Sequence, residues 1–364
     1  MSKLDEVLAA IGPLDEKATA SARARQDTLT KPQGSLGRLE ELSVQVAGIT
    51  GQERPRFPHK VVVTMAGDHG VAAQGVSAYP ADVTPQMVLN FLRGGAGINV
   101  LARHAGARVV VVDMGVAAEL PSHPKLMNKK VRLGTADMSQ GPAMSRAEAL
   151  RSLEAGIEVV EQELARGLDL LATGDMGIGN TTASSAVAAV FTGKPVFAVT
   201  GRGTGLDDAG LQRKIAIIET ALAVNRPDPQ DPLDVLAKVG GLEIGGIAGA
   251  ILAGAAHRRP VVIDGFISGA AALIAAALCP RAKDYMIAAH CSVERGHRLV
   301  LEHLGLKPLL DLNLRLGEGT GATLGMFLVE AAARVLDEMA TFAEAGVSEA
   351  EPSPEPVEGK KLGD

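Results

Sequence analysis

Short apolar runs, each closing in a glycine-rich turn that opens into a helix of small residues, recur through the middle of this chain and constrain it most. The pattern stands at Leu168–Val190, Val196–Ile215 and Val261–Leu278. A strand, a tight turn and a helix folding back on the strand make a βα unit, and successive units build a parallel sheet. The runs are nearly continuous rather than alternating, as in parallel strands covered on both faces. Strands are expected at Val61–Met65, Val109–Asp113, Leu168–Thr173, Pro195–Thr200 and Pro260–Asp264. The repetition has no fixed period, which excludes a solenoid.

Before Lys60 and after about residue 320 the period becomes helical. Leu4, Val7, Leu8 and Ile11 share one stripe, Leu36, Leu39, Leu42 and Val46 a second, and Leu324, Phe327, Leu328, Ala331, Val335 and Leu336 a third. The expected architecture is α/β: a Rossmann-like large domain over 56–319, with a mostly parallel sheet flanked by helices, and a small helical domain built from both termini, 1–55 and 320–346. Residues 347–364, rich in Glu, Pro and Lys, are expected to be disordered. Hydrophobic residues make up 46% and aromatics only 2%, so Ala, Gly, Val and Leu build a core in which helices sit close to the sheet.

With a net charge of −6 and no basic stripe, nucleic acid is not an expected partner. Two cysteines, Cys279 and Cys291, make no disulfide framework. Met1–Lys17 lacks the apolar core of a signal peptide, and the charge-free run Gly265–Pro280 is shorter than the ~20 residues of a membrane span. A cytoplasmic protein without a membrane partner is expected.

Chemistry concentrates in the glycine loops. Gly174-Asp175-Met176-Gly177-Ile178-Gly179-Asn180-Thr181-Thr182 follows an apolar run and precedes the Ala-rich helix Ala183–Val190. A helix N-terminus behind a glycine turn offers free N–H groups and a positive dipole end to a phosphate; the same residues equally suit an ordinary capped turn. The dinucleotide fingerprint lacks its third Gly, and no Gly-Lys is followed by Ser or Thr as a P-loop requires. Thr200–Asp208 is a second such loop, and Lys214 beyond it is either a phosphate counter-charge or a solvated helix lysine. Glu243 and Asp264 interrupt apolar stretches, as structural anchors or as site residues. His290, Cys291, Ser292, Glu294 and His297 match no zinc spacing, so no metal is expected. Ala66-Gly67-Asp68-His69-Gly70 positions a ligand or caps a turn. Arg315-Leu316-Gly317-Glu318-Gly319-Thr320-Gly321-Ala322 leaves one carboxylate among glycines, as a helix-cap neighbour or as a general base at a cleft.

Lys31-Pro32-Gln33-Gly34-Ser35-Leu36-Gly37, Ala66–Val71, the Gly174–Thr182 loop, Gly265–Gly269 and Leu314–Ala322 together, in this order, resemble the nicotinate-nucleotide:dimethylbenzimidazole phosphoribosyltransferases, over roughly residues 30–345. The resemblance implies transfer of phosphoribose from nicotinate mononucleotide to 5,6-dimethylbenzimidazole. It makes α-ribazole 5′-phosphate in cobalamin assembly, by a homodimer, with inversion and without a cofactor. It implies Glu318 as general base and Asp175 as a second acid–base or positioning group, one methylene shorter than the Glu of some relatives. It assigns Gly177, Gly179, Asn180, Thr181, Thr182, Gly203, Lys214 and Ser292 to ribose phosphate. It assigns Ser77, Tyr79, Gln86, Met176 and Leu316 to the benzimidazole, and Gly265 and Phe266 to the vicinity of nicotinate. Transfer to adenine, another benzimidazole or a phenol, a non-catalytic nucleotide-binding protein and, more distantly, a Rossmann oxidoreductase remain as alternatives.

Overall fold

The computed structural model describes residues 2–348; the expected disordered tail therefore lies, from residue 349 on, outside the described residues. Three helices open the chain: α1 (Lys3–Ala10), α2 (Glu16–Thr28) and α3 (Arg38–Thr50). Then come β1 (Lys60–Gly67), α4 (Val83–Arg93), α5 (Gly97–Ala105), β2 (Ala107–Gly115), β3 (Leu126–Asn128), α6 (Arg146–Leu164), β4 (Leu170–Met176), α7 (Asn180–Thr192), α8 (Val196–Val199) and α9 (Asp208–Asn225). The chain continues with α10 (Pro232–Val239), α11 (Leu242–Ala256), β5 (Val261–Ile263), α12 (Phe266–Leu278), β6 (Met286–Ala288), α13 (Arg295–Leu304), α14 (Thr320–Glu338) and α15 (Phe342–Ala345).

The six strands form one sheet in the order β3-β2-β1-β4-β5-β6, every pair parallel. The chain starts in the middle, fills one side, then crosses to fill the other. In such a sheet the crevice for a ligand opens at the carboxyl ends of the strands where the direction of winding reverses, here between β1 and β4.

Alternation along β1 divides the core. Val61, Val63 and Met65 belong to one cluster, packed under α1, α6, α7 and α10–α13; Val62 and Ala66 belong to the other, under α3, α4, α5 and α14. The small-residue composition is used where α6 crosses α11. A Cβ on Gly156 would stand 1.9 Å from the Gly246 carbonyl oxygen, and one on Gly249 would stand 2.0 Å from that of Leu153. The termini meet as well. Ala22, Ala47 and Leu336 share a small cluster, and Arg25 donates to the carbonyls of Leu336 (2.6 Å) and Met339 (3.0 Å) at the end of α14. Among the described residues no helix is long and apolar enough to cross a membrane.

One expected strand is absent. Pro195–Thr200 carries the short helix α8 instead, so the unit Val196–Ile215 is helix–loop–helix. Ala198 N–H donates to the Pro195 carbonyl and the Thr200 hydroxyl to that of Val196. A four-residue apolar run has no period that separates a buried strand from a buried helical turn, and β5 already occupies the place beside β4. The three-residue strands β3 and β6 carry no such signal and were not expected.

Candidate active site

The carboxyl ends of β1, β4, β5 and β6 open onto one cleft of about 490 Å³. Its polar groups come from the end of β4 and the start of α7 (Asp175, Asn180, Thr181), the loop before α9 (Thr204), the segment after β6 (His290, Ser292, Glu294) and the turn before α14 (Arg315, Glu318). Its apolar walls include Tyr79, Val83, Met87, Met176, Phe266 and Leu316.

Glu318 is 4% exposed and reaches the cleft from a turn packed against the sheet. Its N–H donates to the Asp175 carbonyl at 3.1 Å, and its own carbonyl accepts from the Thr64 hydroxyl at 2.9 Å. The approach is close enough to require glycine at 174, where a Cβ would meet the Glu318 carbonyl oxygen at 2.2 Å. The Oε2 of Glu318 accepts from Ile98 N–H, 2.9 Å away in the first turn of α5. Burial pushes this carboxyl above the ordinary glutamate range, and the Ile98 bond opposes only part of that.

Behind it lie further buried acids. Asp175 is pushed well above the usual carboxylate range by burial and then by the charges of Asp264 and Glu243; the Asn180 amide, 3.0 Å from Oδ2, counters them. Asp175 Oδ1 has no protein partner. Asp264 is an anchor: Oδ1 accepts from Ala322 N–H (2.8 Å) and Oδ2 from Gly319 N–H (3.3 Å), tying β5 to the start of α14. Burial pushes it to about 7 against these bonds. Glu243 receives His69 Nε2 at 2.7 Å in a sealed pair. Burial opposes the imidazolium, yet Glu243 holds His69 above its ordinary range.

At the other end, Lys214 is fully buried and donates from Nζ to Thr181 Oγ1 at 2.7 Å. Burial lowers it to about 8 against the pull of Glu294. A Cβ at Gly203 would stand 3.2 Å from that ammonium, so glycine leaves the approach open. The N-terminus of α7, headed by Gly179 at φ 95°, brings its positive dipole end beside it.

The cleft therefore brings together Glu318, Asp175, Gly177, Asn180, Thr181, Gly203, Ser292, Tyr79, Met176, Leu316, Gly265 and Phe266. Lys214 stands one contact behind it through Thr181. Thr182 is buried within α7, and Gly179 faces His69 and Ala72. Ser77 touches Thr204 at 3.3 Å, outside the lining, and Gln86 is exposed on α4 while Val83 and Met87 line the wall. Sequence reasoning did not single out these two, Thr204, Ile267 or Arg315 as binding residues, and it gave His290 and Glu294 no place in a cleft. The signal for the last two was available as the period-two row His290, Ser292, Glu294.

The sequence and the fold both have counterparts among known proteins. A family described as phosphoribosyltransferase matches residues 11–347. The nicotinate-nucleotide–dimethylbenzimidazole phosphoribosyltransferase of Roseiflexus sp. (strain RS-1) is 68% identical over 348 residues, covering 96% of this chain and 99% of that protein. The protein of that name from Desulforudis audaxviator is 64% identical over 350 residues, with the same shares covered. The crystal structure of the Thermus thermophilus protein of that name superposes with a TM-score of 0.88 at 52% identity, covering 93% of this chain and 100% of that one. The chain belongs to the nicotinate-nucleotide–dimethylbenzimidazole phosphoribosyltransferase family.

Proposed function

We propose that this phosphoribosyltransferase moves the 5-phosphoribosyl group of nicotinate mononucleotide onto 5,6-dimethylbenzimidazole, with Glu318 as general base and inversion at C1′. The observation that carries the mechanism is the Glu318 carboxylate at the cleft, fixed by Ile98 N–H and raised by burial. A base must be ionised yet hold a proton well, and a raised carboxylate moves toward that balance. The glycosidic nitrogen of the donor is already cationic and departs as a neutral pyridine, so the leaving group needs no general acid. The attacking benzimidazole loses its N–H proton to Glu318 as its other nitrogen bonds to C1′. Holding the two heterocycles on opposite faces of the ribose supplies orientation and dictates an α-nucleotide. Lys214, Thr181 and the α7 N-terminus take the phosphate, while Met176, Leu316 and Tyr79 wall the apolar base. The reading treats 1–55 and 320–346 as a helical unit against an α/β body of 56–319, and the protein as a cytoplasmic homodimer, a state that sedimentation velocity checks.

The test is a one-pot reaction resolved by chromatography. Nicotinate and α-ribazole 5′-phosphate are expected in equal amounts; nicotinate alone would make the protein a hydrolase. Glu318→Gln is expected to lose about 10²–10⁴ in kcat while still binding the nucleotide in calorimetry. Near-normal turnover in that variant removes Glu318 from the role.

A further inference from the structure

The segment after β6 stays extended. His290 forms a parallel bridge to Leu310, and the N–H groups of Cys291 and Val293 donate to the carbonyls of Leu310 and Leu314. Side chains alternate along an extended backbone. His290, Ser292 and Glu294 accordingly line the cleft, and Val293, between the last two, is 48% exposed. At about 3.3 Å per residue the row spans roughly the length of a mononucleotide. His290 stands beside Gly265, and Glu294 stands toward Gly203 and Lys214.

Glu294 does not fit the phosphate. An ionised carboxylate only accepts hydrogen bonds, and a phosphate there would meet a like charge. Its Oε2 is buried without a protein partner, and glycine at 201, where a Cβ would stand 2.0 Å away, leaves it room. Burial raises the carboxyl, with Lys214 opposing. A buried acceptor of this kind calls for a donor from the ligand. The donor nucleotide of the proposed reaction has few: its phosphate and carboxylate are anionic, and its pyridinium nitrogen bears no proton. The benzimidazole has one N–H, which goes to Glu318. Only the ribose hydroxyls remain.

We propose that Glu294 accepts the vicinal ribose hydroxyls of the donor and is the residue that selects ribonucleotide over deoxyribonucleotide. The proposal rests on the reaction above and deepens it. Its test compares nicotinate mononucleotide with its 2′-deoxy and 3′-deoxy analogues as donors to 5,6-dimethylbenzimidazole, in the wild type, Glu294→Gln and Glu294→Asp. Each variant is measured on one preparation, so the active fraction cancels in the ratio of donors. The intrinsic reactivity of a deoxyribosyl centre cancels between proteins. The wild type is expected to favour the ribose donor in kcat/KM by about 10–100-fold over at least one analogue, as a hydrogen bond to a charged group warrants. Both variants are expected to bring that preference within about threefold, by loss on the ribose donor alone. Asp keeps the charge near Lys214 but withdraws it by one methylene, which separates contact from charge. Variants that retain the full ribose preference, or lose equally on all donors, overturn the role of Glu294. A wild type that turns over no nicotinate mononucleotide overturns the reaction itself.

Discussion

Glu318 holds φ at 64°, between Gly317 at 80° and Gly319 at 98°. A left-handed backbone costs a non-glycine residue about 1–2 kcal/mol, and such strain persists where the surroundings over-determine it. Here they do: the Thr64 hydroxyl and the Asp175 carbonyl grip its peptide groups, and Ile98 N–H grips its carboxylate. The two titrating groups at either end of the cleft then predict a pH profile. The base works ionised, so kcat/KM falls on the acid side as Glu318 takes up its proton, above the usual glutamate range. Lys214 works protonated, so kcat/KM falls again on the alkaline side, with a midpoint near its value of about 8. Once a phosphate dianion lies beside the ammonium, its proton is held, and the alkaline limb should leave kcat. Initial rates from about pH 5 to 10 check both limbs; an alkaline limb of equal midpoint in kcat would remove Lys214 from the phosphate.

Among the elements, the close crossings make the sharpest prediction. Gly249→Ala places a Cβ 2.0 Å from the Leu153 carbonyl, and Gly174→Ala one 2.2 Å from that of Glu318. Overpacking of this kind costs about 1–3 kcal/mol, and backbone cannot swing aside as a side chain can. Both variants should melt lower. Only Gly174→Ala should also lose kcat per folded molecule, since its collision moves the base, whereas α6 and α11 meet away from the cleft. Melting curves with active-site-normalised rates decide it. Legibility followed the same physics. β1, β2 and β4 are long enough for their apolar runs and terminal glycines to be unambiguous, and the segments after β1 and β4 carried Tyr79 and the Asp175–Thr181 part of the cleft. The run at Val196–Val199 looked equally strand-like and became a helical turn, because four apolar residues take their form from whatever neighbour completes them. β6, at three residues, gave no pattern, so in the row that follows it only Ser292 had a binding role, through the family resemblance, and His290 and Glu294 were visible only as an unsuccessful metal spacing.

For the molecule as a whole, α14 joins the two ends of the chain to the chemistry. Its N-terminus is held by Asp264 from the sheet, its C-terminus by Arg25 from α2. The two attachments should separate stability from catalysis. Arg25→Ala removes the donor to the Leu336 and Met339 carbonyls at the outer end. It should lower stability by about 1–3 kcal/mol, leaving kcat within about twofold because nothing near Glu318 moves. Asp264→Asn keeps size and one acceptor, which suffices for Ala322 N–H. Its new amide then either faces Gly319 N–H, donor against donor, or leaves that group unpaired, and Gly319 is the residue next to Glu318. That turn sits in left-handed backbone on three consecutive residues and has little slack. The variant should therefore lose stability by a similar amount and, unlike Arg25→Ala, at least about tenfold in kcat, because a small displacement of a general base forfeits much of its contribution. Denaturant titrations and steady-state rates on the pair measure this. Equal kinetic losses from the two ends would mean that α14 transmits strain along its whole length and that the Asp264 anchor is not what positions the base.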